Sequence, residues 1–153
     1  MAKIIPLQKS GTFKSLTDHE LALFSRIVSE EKHEAGDVLV DEKMMSDRFF
    51  FIEKGKAVIT APNLKGGGEL ILGGWETFGE WSLLGPEHLS PVSAVVTEPS
   101  NILVVRRDDF EQFSKDQPAT ALKVQRDLLK KVWRSTQLVS VFLGLSGVEP
   151  GGA

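Results

Sequence analysis

From Glu31 to Arg106 the chain is cut into short β-prone runs by recurring turn signals, and this rhythm limits the fold more than any other feature. Gly36-Asp37 opens Val38-Leu39-Val40. Arg48 to Glu53 is an aromatic-rich run through Phe49, Phe50, Phe51 and Ile52, and Lys54-Gly55 turns the chain into Ala57-Val58-Ile59-Thr60. Lys65-Gly66-Gly67-Gly68 reads as a flexible hairpin loop before Leu70-Ile71-Leu72, and two further runs cover Val92 to Thr97 and Ile102 to Val105. Turns this frequent predict an antiparallel sandwich or barrel rather than a parallel sheet.

Helices flank this region. Thr17 and Glu20 have the spacing of a capping box, with Leu16 and Leu21 placed as a hydrophobic staple. They predict a helix running to about Val28, with Leu21, Phe24 and Val28 on one face. Asp108-Asp109 leads a short helix through Phe110 and Phe113. Pro118 suits the first turn of a last helix, from about Ala119 to Leu143. Leu122, Leu129, Val132, Val139 and Leu143 follow a mixed three-and-four spacing, an apolar seam that Thr136 interrupts.

The chain has 153 residues, which suits one domain, expected at 1–145, with a flexible tail at 146–153. Eighteen Lys and Arg against 21 Asp and Glu give a net charge of −3, and no run of five basic residues occurs. Nothing here favours nucleic acid. With no cysteine, disulfides, thiolate catalysis and cysteine-based metal sites are excluded, which suits a cytoplasmic location. The N-terminal MAKIIPLQKSGTF lacks a signal-peptide core, and the apolar run from Leu138 to Leu145 is far too short to span a bilayer, so no membrane partner is expected.

The informative segment is Phe78-Gly79-Glu80-Trp81-Ser82-Leu83-Leu84. Upstream of it lie Gly36-Asp37-Val38-Leu39-Val40-Asp41-Glu42 and Asp47-Arg48-Phe49-Phe50-Phe51-Ile52-Glu53-Lys54-Gly55. Downstream lie Ser93-Ala94-Val95-Val96, Ile102 to Val105, and Asp109-Phe110. In this order and spacing the chain, from about Phe13 to Leu143, resembles the cyclic nucleotide-binding domain family of catabolite-activator-like regulators, kinase regulatory subunits and ion channels. The resemblance implies a mainly β fold: a jelly-roll barrel (a double-stranded β-helix) with an N-terminal helix and two C-terminal helices. It implies a regulatory function and a cyclic nucleotide, cyclic AMP or cyclic GMP, or a related small molecule as ligand. The implied ligand-binding residues are Phe78, Gly79, Glu80, Trp81, Ser82, Ser90, Ser93 and Ala94, with Trp133 as a candidate lid. The physical logic is independent of the family. The N-terminus of a short helix offers unpaired N–H groups to a phosphate, and Glu80 can accept from a ribose hydroxyl.

The sequence departs from the family pattern where that pattern places an arginine for the cyclic phosphate. One alignment puts Ser90 in that column and another Val92, and no Lys or Arg occurs from Glu69 to Val105. A charge-assisted hydrogen bond of this kind is worth about 1.5–3 kcal/mol, so its loss weakens binding by roughly tenfold to over a hundredfold. Lys43 also stands where the family carries a glycine after Glu42. The alternative reading is a degenerate scaffold for dimerisation or partner docking.

Other chemistries have little support. His19, His33 and His88 are dispersed, without the spacing of a metal site, and no nucleophile–base set stands out. Gly66-Gly67-Gly68 lacks the Lys-Ser/Thr ending of a phosphate loop. The expectation is a non-enzymatic module with no catalytic residues, no metal and no resident cofactor. The resemblance further implies a homodimer through the C-terminal helix and a protein partner as output.

Overall fold

A computed structural model describes residues 4–41, 44, 46–60, 70–84, 90 and 92–142, of which 70, 81, 84 and 134–142 are described by backbone alone. The helices are α1 (Ile4–Lys9), α2 (Asp18–Ser25), α3 (Arg107–Asp116) and α4 (Pro118–Phe142), with a short 3₁₀-helix at Glu80–Leu84. The strands are β1 (Val28–His33), β2 (Val38–Val40), β3 (Arg48–Lys54), β4 (Ala57–Thr60), β5 (Leu70–Leu72), β6 (Thr77–Phe78), β7 (Ser93–Val96) and β8 (Ser100–Arg106).

The strands form two four-stranded antiparallel sheets, ordered β1-β8-β3-β6 and β2-β7-β4-β5. First pairs with eighth, second with seventh, third with sixth and fourth with fifth. The chain is thus one long hairpin, folded at β4–β5 and rolled so that β3 also meets β8 and β4 meets β7. That is a jelly roll.

β3 and β8 lie between two cores. Phe49, Phe51, Leu103 and Val105 point to a cluster under the helices, with Phe13, Phe24, Phe110, Phe113, Val124 and Leu128. Phe50, Ile52, Ile102 and Val104 point between the sheets, toward Val40, Ile59, Leu72, Phe78, Ala94 and Val96. Burial on both faces accounts for the unbroken apolar runs in these two strands. At the end of β3, Gly55 turns with φ +114°, and a Cβ there would fall 2.5 Å from that of Ser100. The expected hairpin turn is therefore open only to glycine.

Two expectations are corrected. The helix that begins after Thr17 ends at Ser25 rather than near Val28, and Val28 instead opens β1 against Val105. Val28 is the only apolar residue in β1, so no alternation announced the strand; its pairing with β8 decides its conformation. The structure also adds α1, which buries Leu7. The expected glycine loop at Gly66–Gly68, Leu143 and the tail lie outside the described residues.

The capping box at Thr17 forms as expected, and Glu20 reaches further than its own helix. Its carboxylate accepts from the Thr17 amide at 3.0 Å, the Thr120 hydroxyl at 3.0 Å and the Lys123 ammonium at 2.7 Å, binding α2 to α4. The Lys123 hydrogen bond above all, then the Thr17 amide, hold its pKa down at about 2 from an ordinary 4.5. Because the folded-state value is the lower one, this contribution is complete above 4.5 and is lost as pH falls toward about 2. The stability gap between the native protein and Glu20→Gln, read from denaturant midpoints, should be widest above that window and close through it. A gap that does not change with pH would show that the cluster contributes nothing through ionisation.

Candidate functional site

β6 delivers the chain to the site. Phe78 pairs with Phe50 and is buried between the sheets. Gly79 then turns with φ +87°, a left-handed conformation, and a Cβ there would lie 2.9 Å from the Arg48 carbonyl oxygen and 3.2 Å from the Phe49 Cα. Glycine alone lets this turn press against β3. The 3₁₀-helix follows at once, closed by the Ser82 amide donating to the Gly79 carbonyl at 3.0 Å. Leu83 packs against the cluster beneath the helices.

Glu80 is the first residue of this helix and is half-buried. Its carboxylate has no ion pair or side-chain hydrogen bond among the described residues. Ser82 is fully buried, and its hydroxyl has no hydrogen-bond partner among the described residues. A buried polar atom without a partner costs about 1–3 kcal/mol, and such atoms are rare in folded proteins. The Trp81 side chain lies outside the described residues.

The segment entering β7 divides the other candidates between two faces. Ser90 is buried, its amide donates to the Met44 carbonyl at 3.0 Å, and its hydroxyl donates to the Val92 carbonyl at 2.5 Å. Val92 packs against the inter-sheet cluster, as does Ala94. Ser93 lies between them on the opposite side of the strand, where its hydroxyl donates to Asp41 at 3.2 Å. The structure therefore brings Phe78, Val92 and Ala94 to the inter-sheet face. It commits the Ser90 and Ser93 hydroxyls to protein partners.

The Arg48 cation of β3 is engaged elsewhere. The Arg48 backbone touches Gly79, yet its guanidinium lies 5.3 Å over the Phe50 ring and pairs with Glu31 at 3.3 Å. Glu31 also meets His33 at 2.9 Å, and the second imidazole nitrogen faces Asp37 at 3.2 Å. Sequence reasoning did not single out this network, because Arg48 reaches Glu31 only through the pairing of β1 with β8 and β8 with β3. Among the described residues no group of three His, Asp or Glu could hold a metal ion.

α4 turns Ala121, Val124 and Leu128 toward the barrel. Its other side carries Leu122, 47% exposed, Leu129, 67%, and Trp133, 61%. Arg126, Leu129, Lys130, Val132 and Trp133 line a groove of about 590 Å³. Of the expected seam, Leu122 and Leu129 face outward and Val132 is half-buried, while the side chains of Thr136 and Val139 lie outside the described residues.

Comparison with known proteins matches residues 30–117 to the model of the cyclic nucleotide-binding domain. A cyclic nucleotide-binding domain from Methylobacillus flagellatus is 19% identical, with 88% of this chain and 76% of that one aligned at a TM-score of 0.78. The catabolite activator protein of Thermus thermophilus is 25% identical over 88% of this chain and 62% of its own, at a TM-score of 0.69. The regulatory domain of Toxoplasma gondii PKA, solved with cAMP, is 19% identical over 86% of this chain and 48% of its own, at a TM-score of 0.68. The chain thus spans about half of that regulatory domain and under two thirds of the activator protein. The family model covers more than half of the chain and the jelly roll agrees with it, so the chain belongs to the cyclic nucleotide-binding domain family.

Proposed function

We propose that this chain is a regulatory sensor module that takes up a cyclic nucleotide, cyclic AMP or cyclic GMP, or a close chemical relative beside Phe78–Ser82 and beside Ser90, Ser93 and Ala94 at the entry to β7. The observation that carries this reading is the turn at Gly79, which sets Glu80, without an ion pair or side-chain hydrogen bond among the described residues, at the head of a short helix. In this arrangement the helix amides donate to a phosphate and Glu80 accepts a ribose hydroxyl. The module binds and transmits and does not catalyse. A cytoplasmic location belongs to the same proposal, and among the described residues no helix is long and apolar enough to cross a membrane.

Ligand recognition is atypical, because the phosphate has no arginine in reach from Glu69 to Val105 and Arg48 is held by Glu31. That lack is also what favours the second reading, a scaffold that docks or dimerises without ligand. Output passes through α4, whose exposed Leu122 and Leu129 offer a seam to a second copy or to a protein partner, with Trp133 as a lid.

Calorimetry separates the two readings. The native protein should bind cyclic AMP or cyclic GMP at about tens of micromolar or more weakly. Glu80→Ala should lose about 1.5–3 kcal/mol of that affinity. The 2′-deoxy ligand should be weakened against native protein and no further against Glu80→Ala, since a hydroxyl and a carboxylate in contact are not additive. Additive losses, or no heat from either nucleotide, would leave the scaffold.

Restoring a cation tests the missing contact. Val92 faces the space between the sheets, whereas Ser90 is enclosed and doubly bonded, so Val92 is the position to change. Val92→Arg should tighten cyclic AMP by about tenfold or more. An unchanged affinity in a folded Val92→Arg would remove the arginine argument.

The seam gives an assembly prediction. Sedimentation should report a dimer, which Leu129→Glu combined with Val132→Glu should split by placing charges in the paired seam. A native protein that stays monomeric at high micromolar concentration would contradict it.

A further inference from the structure

Trp75 is the one non-glycine residue with positive φ among those described, at +66°, and it lies between β5 and β6, a few residues before Gly79 and Glu80. A bulky side chain does not favour this conformation, so the surroundings must impose it. They do so from both sides of the residue. The Trp75 amide donates to the Ile52 carbonyl, and the Ile52 amide donates to the Glu76 carbonyl at 3.0 Å, fastening the turn to β3. The Glu76 carboxylate accepts from the Gly73 amide at 3.0 Å and closes the turn on itself. The Trp75 carbonyl accepts from the Lys131 ammonium of α4. The indole packs half-buried against the cluster that holds Val124 and Leu128 of the same helix.

Lys131 ends a polar stripe along α4. Thr120 and Lys123 bind Glu20 of α2. Asp127 accepts the Ser15 hydroxyl at 2.6 Å. Lys131 donates to the Thr12 hydroxyl at 3.1 Å and also to Trp75. The spacing of three or four residues puts all four on one helix face. The first three fix α4 to the N-terminal segment; Lys131 alone among them joins both that segment and the barrel. The barrel point it joins is the strained turn that runs through β6 into the 3₁₀-helix.

We propose that Lys131 is a positioning residue that couples α4 to the candidate ligand site by holding Trp75 in its left-handed conformation. This rests on the reading of Phe78–Ser82 as the ligand site and of α4 as the output. A displacement of Gly79 and Glu80 pulls on β6 and the Trp75 turn, which the Ile52 bonds hold to β3 and the Lys131 ammonium holds to α4, so the turn loosens when the ammonium lets go. Release of Lys131 then frees the distal part of α4 while the Glu20 and Ser15 contacts keep its first turns in place.

Hydrogen–deuterium exchange on the full chain tests this without needing a ligand. Lys131→Met keeps the aliphatic stem and removes the donors. Exchange across residues 73–80 should rise by about tenfold, with β3 and β8 unaffected. Lys131→Arg should restore protection. In a Trp75→Gly background, where the left-handed turn carries no strain, Lys131→Met should have little further effect. Unchanged exchange at 73–80, an equal rise throughout the chain, or an undiminished effect in the Trp75→Gly background overturns the proposal. Failure of the ligand reading shows separately, as absence of cyclic nucleotide binding by calorimetry, and leaves the exchange result standing.

Discussion

The pairing of β3 with β8 is the contact on which the rest depends. Each strand is buried on both faces, so the two together form the wall between the inter-sheet core and the core beneath the helices. Residues on one face set the spacing to the second sheet, and residues on the other set the bed for α2, α3 and α4. Rings fill the second bed: Phe13 meets Phe24 and Phe51 edge-on at 5.1 and 5.4 Å, and Phe49 meets Phe51 at 5.5 Å. Such pairs add about 0.5–1.5 kcal/mol each beyond the area they bury. The candidate site borrows this rigidity, because the Gly79 turn presses directly on the β3 backbone.

The sequence was most legible where a single segment determines its own structure. The capping box at Thr17 and the turn at Gly55 are both local, and each stands where it was read. β1 escaped because its conformation comes from a partner strand about seventy residues away and half of its own residues are charged. Those charges suit an edge strand, which must not invite further pairing. In the site, Ser90 and Val92 share the phase of Ala94 and Val96, so alternation could not separate them; what does is the tying of Ser90 to the Met44 and Val92 carbonyls before β7 begins. Trp75 could not have been read at all: its side chain argues against a left-handed turn, and only bonds to Ile52 and Lys131 explain it.

Electrostatically the described ion pairs tie cations into the scaffold. Arg48 serves Glu31, Lys123 serves Glu20 and Lys131 serves a carbonyl, so these three basic side chains are bound into the scaffold. The segment from Glu69 to Val105 carries carboxylates and no Lys or Arg. Any anion held there relies on backbone amides and helix dipoles rather than on a full opposing charge, and these are the weaker of the two kinds of contact.

The nested hairpin also fixes the order in which contacts become affordable to an unfolded chain. β4 and β5 lie at its bend and close the smallest loop, whereas joining Val28 to Val105 closes the largest. Loop-closure entropy grows with each outer pair, so the β1–β8 ladder becomes favourable only after the inner strands have met. Many of the native contacts are therefore distant in sequence, the topology that slows folding in small domains. The helical layer inherits this order, since α2 and α4 rest on a surface that exists only once β3 and β8 are joined. Synthesis from the N-terminus adds a further delay: α1, α2 and β1 emerge first and must wait for β8, so the charges of β1 guard an unpaired edge through most of the time the chain is being made.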